Sequence, residues 1–324
     1  MSPFARGALV GILGFLAAVI TGIGATVPIW PESGLLGMFG LIFGSLSLHM
    51  LGIGACLGLG LAALGARRSG LGLVGVALLA GGLAAWPVWH LRNPPETPAP
   101  PGAGLQVLWF NLYQDNVTPP ETLAAALTGS GADLVVLAEA GPLRPALDQL
   151  AGTYPHQLGC QGRTCATLVL SRYPFGPFGS DPAAMIDGAR KERLAAFALQ
   201  RPGGIPLSVV AAHLTKPWYQ GFFDVDLWHL LDRSAAAEGP LLMMGDFNAT
   251  PWSRPLARIR TETGVAGRGW PVASWPAWAG GLGLPIDHLL VRDGAVLGRV
   301  TSWGAGLGSN HRGLMARIYW PGSG

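Results

Sequence analysis

Three long apolar runs occupy the first 91 positions of the chain, and shorter apolar runs alternate with polar residues after position 104. The long runs contain no Asp, Glu, Lys or Arg and cover residues 7–30, 33–66 and 69–91. A helix needs about 20 apolar residues to cross a bilayer. The first and third runs therefore predict one span each. The middle run of 34 residues is too short for two spans and a turn, so it predicts one long or tilted helix.

These runs predict a membrane anchor over residues 1–92, with helices at about 7–30, 35–65 and 70–91. A cleaved signal peptide is the competing interpretation of the first run, although 24 residues exceed the roughly 7 to 15 of a usual signal-peptide core. Five prolines in residues 93–104 exclude a helix or a central strand there and predict a stiff, extended linker. The remaining residues, 105–324, are long enough to form one substantial core.

Short apolar runs in this second domain predict eight strands. They are Leu105–Phe110, Leu134–Ala138, Ala166–Leu170, Leu194–Leu199, Leu207–Ala212, Leu241–Met244, Ile286–Val291 and Leu314–Tyr319. Fewer segments predict helices, around Pro120–Leu127, Arg144–Leu150 and Asp224–Ala237. Helices on the outer faces of two packed sheets are the simplest α/β arrangement for this strand-rich pattern.

Charged residues are scarce and unevenly distributed. They make up 12% of the chain, half of the residues are apolar, and the mean hydropathy is +0.38. Soluble globular domains carry about 25% charged residues, so the chain as a whole does not have the composition of a cytosolic enzyme. Its high apolar content also excludes an intrinsically disordered chain.

The basic residues near the apolar runs predict an orientation, because Lys and Arg in short loops favour the cytoplasmic side. Arg6, Arg67 and Arg68 can share that side only if the N-terminus is cytoplasmic and the second domain lies outside the cytoplasmic membrane. Arg92 falls on the opposite side and argues against this orientation. Three tryptophans then lie near the outer interface, Trp30, Trp86 and Trp89.

Polar residues recur directly after the predicted strands, where rigid elements can position a site. They are Asn111, Glu139, His213, Asp246 with Asn248, Asp287, and the S-N-H-R run Ser309–Arg312. A single Asn or Asp after a strand is ordinarily a turn or a helix cap. Their recurrence after so many strands indicates a shared functional site.

The order of these residues resembles the motifs of the endonuclease/exonuclease/phosphatase superfamily, which includes DNase I-like nucleases, sphingomyelinases and inositol polyphosphate phosphatases. The matching features are Asn111, Glu139, L-S-R-Y-P at 170–174, A-H-L at 212–214, G-D-F-N at 245–248, I-D-H at 286–288 and S-N-H-R at 309–312. The resemblance covers residues 105–319 and implies a four-layered α/β/β/α sandwich.

The resemblance implies metal-assisted attack of water on a phosphate ester. Glu139 is then the main metal ligand, with Asn111 beside it assisting the metal or the phosphate. Carboxylate oxygen suits Mg²⁺, with Mn²⁺ as the alternative, and the sequence has no His or Cys cluster at zinc spacing. Asp246 would orient and deprotonate the water, and Asn248 would donate a hydrogen bond to a phosphate oxygen.

Two histidines complete the implied site. Protonated His311, held by Asp287, would stabilise the negative charge of the transition state. His213 would be a second donor near the phosphate or would help to protonate the leaving oxygen. The competing interpretation of His213 is a buried histidine bonded to backbone. His288 would point to the opposite face of its strand from Asp287 and is left out.

The last motif departs from the usual S-D-H pattern, because Asn310 stands where the family has Asp. An Asn keeps the shape of Asp but lacks its charge, so its role as a second metal ligand is weakened and the metal count stays open. One alternative function is therefore a membrane-bound binding module with weakened catalysis.

The substrate is predicted only as a phosphate ester, either a lipid headgroup or a nucleic acid. The second domain has 17 basic and 16 acidic residues and lacks the basic stripe of a nonspecific nuclease. An extracytoplasmic nuclease is therefore kept as the other alternative and is not the favoured function. Aromatic residues after His213 and between the G-D-F-N and I-D-H motifs suit a lipid interface, a stacked base or packing under loops. The bilayer is the expected partner, and no protein partner is indicated. Cys160 and Cys165 form either a disulfide or two free thiols, because their spacing alone does not decide between these states.

Overall fold

The computed structural model describes residues 2–90, 104–160, 165–179, 184–186, 192–200 and 204–320. The chain divides into two compact units. The first unit comprises Met1–His90 together with two short segments, Pro217–Gln220 and Thr250–Ala257, and the second contains the rest of the chain. The predicted linker, 93–104, lies outside the described residues except for Gly104.

Three long helices form most of the first unit, α1 (Pro3–Thr26), α2 (Gly34–Ala63) and α3 (Arg67–His90). A short 3-10 turn, Val27–Ile29, continues α1. All three helices are long and apolar enough to cross a membrane. They agree with the predicted spans in number and position, and the middle run forms a single helix of 30 residues.

Glycines allow these helices to approach closely. Arg6 donates to the Leu64 carbonyl at 2.6 Å, which places the start of α1 beside the end of α2. A Cβ at Gly58 or Gly70 would collide with the backbone of the facing helix, and one at Gly54 would collide with a side chain of α1. Small residues at helix contacts are typical of packing in membranes, where close van der Waals contact replaces hydrophobic burial.

The second unit contains two mixed β-sheets. Its strands are β1 (Leu105–Asn111), β2 (Leu134–Ala138), β3 (His156–Gly159), β4 (Thr167–Ser171), β5 (Phe175–Gly176), β6 (Met185–Ile186), β7 (Leu194–Leu199), β8 (Leu207–His213), β9 (Leu241–Asp246), β10 (Asp287–Arg292), β11 (Val296–Leu297), β12 (Thr301–Trp303) and β13 (Gly313–Tyr319). The first sheet has the order β11-β13-β1-β2-β4-β3, with β12 paired to β13, and the second has the order β10-β9-β8-β7-β5, with β6 paired to β7. All eight predicted strands are present, with ends displaced by at most two residues.

Helices accompany the sheets at fewer positions. They are α4 (Pro120–Gly129), α5 (Gln220–Ala235) and α6 (Arg254–Thr263), and 3-10 turns cover Gly141–Leu150 and Ala277–Leu282. The predicted helix around Arg144–Leu150 is a 3-10 segment interrupted by Pro145. The pattern of apolar residues did not predict α6, which is short and carries few apolar residues.

The main core lies between the two sheets. Val107 and Val136 from the first sheet and Phe197 and Val209 from the second are fully buried in one cluster. The central strands are buried along their whole length, which explains why they read as continuous apolar runs rather than as alternating patterns.

Helical segments cover the outer faces of the sheets. Leu108 of the first sheet packs in a second cluster with Leu123 of α4 and with the 3-10 segment after β2. On the second sheet, Arg292 of β10 donates to the Ser234 carbonyl of α5 at 2.7 Å. The four-layered α/β/β/α sandwich is therefore confirmed. Separately, Cys160 forms a disulfide with Cys165, which decides between the two predicted states of these residues.

Candidate active site

Three of the predicted site residues lie side by side at one end of the second sheet. β8 and β9 are parallel with His213 opposite Asp246, and β9 and β10 are antiparallel with Asp246 opposite Asp287. Side chains at paired positions project from the same face of a sheet. The register therefore forms one row of an imidazole and two carboxylates, all of which are buried.

The first sheet contributes Asn111 and Glu139 by the same principle. β1 and β2 are parallel with Asn111 opposite Ala138, so Glu139 follows at the same edge of the sheet. Glu139 has a φ of 50° and Asn248 a φ of 48°, in the left-handed region that residues other than glycine rarely adopt. Such conformations often occur at functional sites, where the surrounding structure maintains them.

Hydrogen bonds across the core join the two sheets at this end. The Asn111 amide donates to Oδ2 of Asp246 at 3.1 Å. The Trp109 indole N–H donates to Oδ1 of Asp287 at 2.7 Å. The Ser309 hydroxyl donates to the backbone carbonyl of Asn111 at 2.6 Å and brings the last sequence motif beside the first.

The two histidines contact the carboxylates from different directions. Nδ1 of His311 lies 2.8 Å from Oδ2 of Asp287, and its Nε2 lies 3.7 Å from Oδ2 of Asp246. Nε2 of His213 lies 3.7 Å from that same oxygen and 3.8 Å from Oε1 of Glu139. His213 therefore lies between the carboxylates of the two sheets.

The environment separates the proton affinities of His311 and Asp287. Burial lowers the pKa of His311, but the negative charges of Asp287, Asp246 and Glu139 and the bond to Asp287 outweigh it and raise this pKa to about 9. Burial raises the pKa of Asp287, but the positive His311 and the bonds from His311, Ser274 and Trp109 outweigh it, so this pKa is lowered. The pair is therefore an imidazolium and a carboxylate at neutral pH.

Asp246 and His213 are shifted mainly by burial. Burial and the charge of Asp287 raise the pKa of Asp246 to about 7, against the opposing effects of His311, the Asn248 backbone and the Asn111 amide. Burial and the positive charges of Arg193, His311 and Lys216 hold the pKa of His213 well below its usual value. His213 is therefore neutral at pH 7, while Asp246 can exchange a proton.

Asn248 is fixed beside Asp246. Its backbone N–H donates to Oδ1 of Asp246 at 3.0 Å, and its side-chain amide donates to the Leu214 carbonyl at 2.8 Å. The amide nitrogen carries a second hydrogen, which a substrate oxygen can accept. In contrast, His288 bonds to the Ala249 carbonyl and stacks on Phe247, so it takes no part in the cluster.

Oxygen atoms around the cluster fit a hard divalent cation. One possible ligand atom from each of Asp246, Asp287 and His311 lies within 4.8 Å of the others, but protonated His311 has no lone pair to offer a cation. Glu139 accepts a bond from the Gln114 backbone through Oε2 and leaves Oε1 towards His213. Oδ1 of Asn310 is buried and accepts no hydrogen bond within the described part of the chain. An unsatisfied buried acceptor is costly, and a cation would satisfy it.

Trp109 and Ser274 support the site but were not predicted from the sequence, whereas Ser309 lies in the predicted S-N-H-R motif and had no role assigned to it. The hydroxyl oxygen of Ser274 accepts from the backbone N–H of Asp287 at 3.1 Å. Trp109 carried a usable signal, because it lies two residues before Asn111 on β1 and so projects from the same face. Ser274 carried no such signal, since it precedes β10 by 13 residues in an irregular loop.

The aromatic residues around the motifs are partly exposed. Trp218, Tyr219 and Phe222 are about half exposed or more, and Trp278 is 87% exposed. Phe223 is buried. Packing therefore accounts for some of these residues and leaves others on the surface.

A family model described as the endonuclease/exonuclease/phosphatase family matches residues 108–311, which include every residue of the cluster described above. The chain belongs to this family. This family groups endonucleases, exonucleases and phosphatases, which are hydrolases that act on phosphoesters.

Several solved structures are similar to this chain at low sequence identity. An endonuclease/exonuclease/phosphatase from Beutenbergia cavernae DSM 12333 is 18% identical with a TM-score of 0.50, over 68% of this chain and 72% of that one. TDP2 of D. rerio, complexed with a single-stranded DNA product, is 15% identical with a TM-score of 0.50, over 66% and 98%. Sphingomyelinase C from Streptomyces griseocarneus is 17% identical with a TM-score of 0.46, over 68% and 99%. A search of curated proteins found no match.

Replacing Trp109 with Phe should destabilise the second unit and weaken the site. The variant keeps an aromatic ring but removes the indole donor to Asp287. Leaving a buried acceptor without its donor costs about 1–3 kcal/mol. Chemical denaturation of the full chain measures this cost. Trp303→Phe is the control, because Trp303 packs on Phe110 in the apolar cluster on the outer face of the same sheet. Equal losses in both variants would show that the Trp109 bond has no special importance.

Proposed function

We propose that this protein is a membrane-tethered phosphoesterase that requires Mg²⁺ or Mn²⁺ and hydrolyses a phosphodiester or phosphomonoester by attack of water. The arrangement that supports the proposal most strongly is the protonated His311, paired with Asp287 and facing Asp246 across 3.7 Å. The imidazolium of His311 beside the proton-accepting carboxylate of Asp246 suits a reaction that builds negative charge on phosphate oxygens.

The metal-binding groups in this proposal are the carboxylate of Glu139 and the amide oxygens of Asn111 and Asn310. The buried acceptor of Asn310 supports its inclusion, although the residue lacks the charge of the usual Asp. A bound divalent cation supplies charge neutralisation to the phosphate and lowers the pKa of a coordinated water. Few protein ligands are needed, because Mg²⁺ retains several waters.

Asp246 acts as the general base in this mechanism. A pKa of about 7 allows its carboxylate to orient a water molecule and accept its proton at neutral pH. The Asn111 amide and the Asn248 backbone N–H hold both carboxylate oxygens in place. These two hydrogen bonds fix the orientation of the Asp246 side chain, while its pKa still allows the carboxylate to gain and lose a proton near neutral pH.

The remaining polar groups bind the phosphate. His311 supplies a positive charge that Asp287 keeps in place, and the second amide hydrogen of Asn248 donates to a phosphate oxygen. His213 acts as a neutral donor beside the leaving oxygen, since its lowered pKa excludes a stable imidazolium near pH 7. The substrate is a phosphate ester of either lipid or nucleic-acid origin, and assays on phospholipid, inositol phosphates and DNA would distinguish these classes.

The tether is the three-helix part of the first unit, which we assign to the cytoplasmic membrane with the second unit outside. Arg6 bonds to the Leu64 carbonyl, so it lies at the end of the helices that also carries Arg67 and Arg68. Basic residues gathered at one end support a cytoplasmic position for that end.

Hydrolysis of bis(p-nitrophenyl) phosphate or p-nitrophenyl phosphate by the full chain tests the reaction. We expect activity to disappear with a chelator and to return with Mg²⁺ or Mn²⁺. Asp246→Asn should lower kcat by about 10²–10⁴-fold, the usual contribution of a general base. Glu139→Gln should raise the metal concentration needed for half-maximal activity.

Glu262→Gln is the control for these substitutions, because Glu262 forms an exposed pair with Arg258 on α6. A folded wild-type protein that hydrolyses neither ester and gains nothing from added metal would favour the binding-module alternative.

The pH dependence of hydrolysis tests the His311–Asp287 pair. Activity should rise through about pH 7 as Asp246 loses its proton and fall above about pH 9 as His311 loses its own. Asp287→Asn removes the negative charge that raises the pKa of His311, so the alkaline limb should move to lower pH. Asp133→Asn, at the opposite end of the first sheet, should leave this limb in place. An unmoved limb in Asp287→Asn would remove His311 from its assigned role.

A topology measurement tests the orientation. Alkaline phosphatase, which is active only outside the cytoplasm, should be active when fused to the C-terminus of the full chain, and a cytoplasmic fluorescent reporter fused there should be dark. The opposite pattern would reverse the proposed orientation and leave the proposed chemistry unaffected.

A further inference from the structure

The first unit contains a cavity that the proposed chemistry does not use. Its volume is about 400 Å³, which lies within the roughly 300–1,000 Å³ typical of small-molecule sites. It lies near the end of the three helices that carries the tryptophans at positions 30, 86 and 89. Its wall includes Gly40, Gly44, Ala84, Pro87, Trp252 and Arg254.

Glycine spacing on α2 explains why the space is open. The helix carries two G-x-x-x-G pairs, Gly40 with Gly44 and Gly54 with Gly58. An added Cβ at Gly54 or Gly58 would collide with a neighbouring helix, whereas one at Gly44 would have no heavy atom within 4 Å. The second pair therefore closes a helix contact, whereas in the first pair Gly40 lies against the Arg254 guanidinium and Gly44 borders a void.

The wall of the cavity is suited to an apolar occupant. Most of its residues are glycine, alanine, proline or aliphatic. Its polar side chains bond to the backbone: Ser47, Trp252 and Ser253 each donate to a main-chain carbonyl. A cavity with such a wall holds water poorly, and an alkyl chain would recover the lost van der Waals contacts.

Arg254 adds a positive charge to the wall. Its guanidinium donates to the carbonyls of Trp30 and Pro31 at 2.6 and 3.4 Å. A carboxylate oxygen of Glu32 lies 3.9 Å away, on a side chain that is 87% exposed. A guanidinium has five N–H donors, so further donors remain for an anionic oxygen, and phosphate is a preferred partner of arginine.

We propose that this cavity binds one phospholipid, with an acyl chain in the apolar space and the anionic phosphate paired with Arg254. An amphiphile of this kind matches both features of the wall, and the helices around it are long and apolar enough to lie in a bilayer. The site is independent of the hydrolysis proposed above. It includes Trp252, which follows Asn248 by four residues in the chain.

Native mass spectrometry of the delipidated full chain in detergent tests the site. The protein is titrated with palmitoyl-oleoyl phosphatidylglycerol and, separately, with the corresponding phosphatidylcholine. We expect one saturable lipid, with the anionic lipid bound more tightly. Gly44→Leu fills the void and should weaken binding by at least about tenfold. Gly52→Leu, the same change at an exposed position of α2 with no heavy atom within 4 Å, should leave binding unchanged.

Arg254→Gln should remove the preference for the anionic headgroup while leaving binding of phosphatidylcholine similar. Circular dichroism and size-exclusion chromatography check that each variant is folded. If Gly44→Leu does not fold, Ala84→Leu fills the same space from α3 and is judged by the same criterion. Equal affinity of the wild type and the filled variant, or lipid addition without saturation, would overturn the proposal. Loss of hydrolysis in Asp246→Asn with lipid binding intact would separate the two proposals.

Discussion

Two buried carboxylates on neighbouring strands are the constraint on which the site of the second unit depends. The register of β9 and β10 places Asp246 beside Asp287, where burial and mutual repulsion disfavour two negative charges. His311 offsets this repulsion with a positive charge, and Asn111 and Trp109 donate from the other sheet. The hydrogen bonds from Asn111 and Trp109 therefore stabilise the buried carboxylates and also join the two sheets at this end.

The donors are distributed unequally between the two carboxylates, and this inequality assigns their chemistry. The Asp287 carboxylate accepts from an imidazolium, an indole and the side chain of Ser274, so its proton is held weakly. Asp246 accepts from neutral donors of Asn111 and Asn248, and its pKa lies near neutrality. Pairs of acids whose environments push their pKa values apart are a recurring basis for dividing roles in catalysis. One carboxylate here is a permanent counter-ion, while the other can exchange a proton.

The sequence was most informative where local pattern and strand position coincide. The buried strands are continuous apolar runs, and parallel pairing brings together the polar residues at the ends of neighbouring strands, Asn111 with Glu139 and His213 with Asp246. The bond from Trp109 to Asp287 joins positions 178 residues apart, and no local pattern specifies such a contact. The spacing of Cys160 and Cys165 left their pairing open, and α6 has too few apolar residues to be distinguished from a loop.

The cavity of the first unit was beyond sequence reasoning for a different reason. Glycine pairs with identical spacing on α2 have opposite surroundings, because Gly54 and Gly58 meet other helices and Gly44 does not. The difference arises from how three helices converge, which depends on every contact along them. The segment Thr250–Ala257, which packs in this unit, begins two residues after Asn248. In the chain, Ala249 alone separates the first residue of that segment from Asn248.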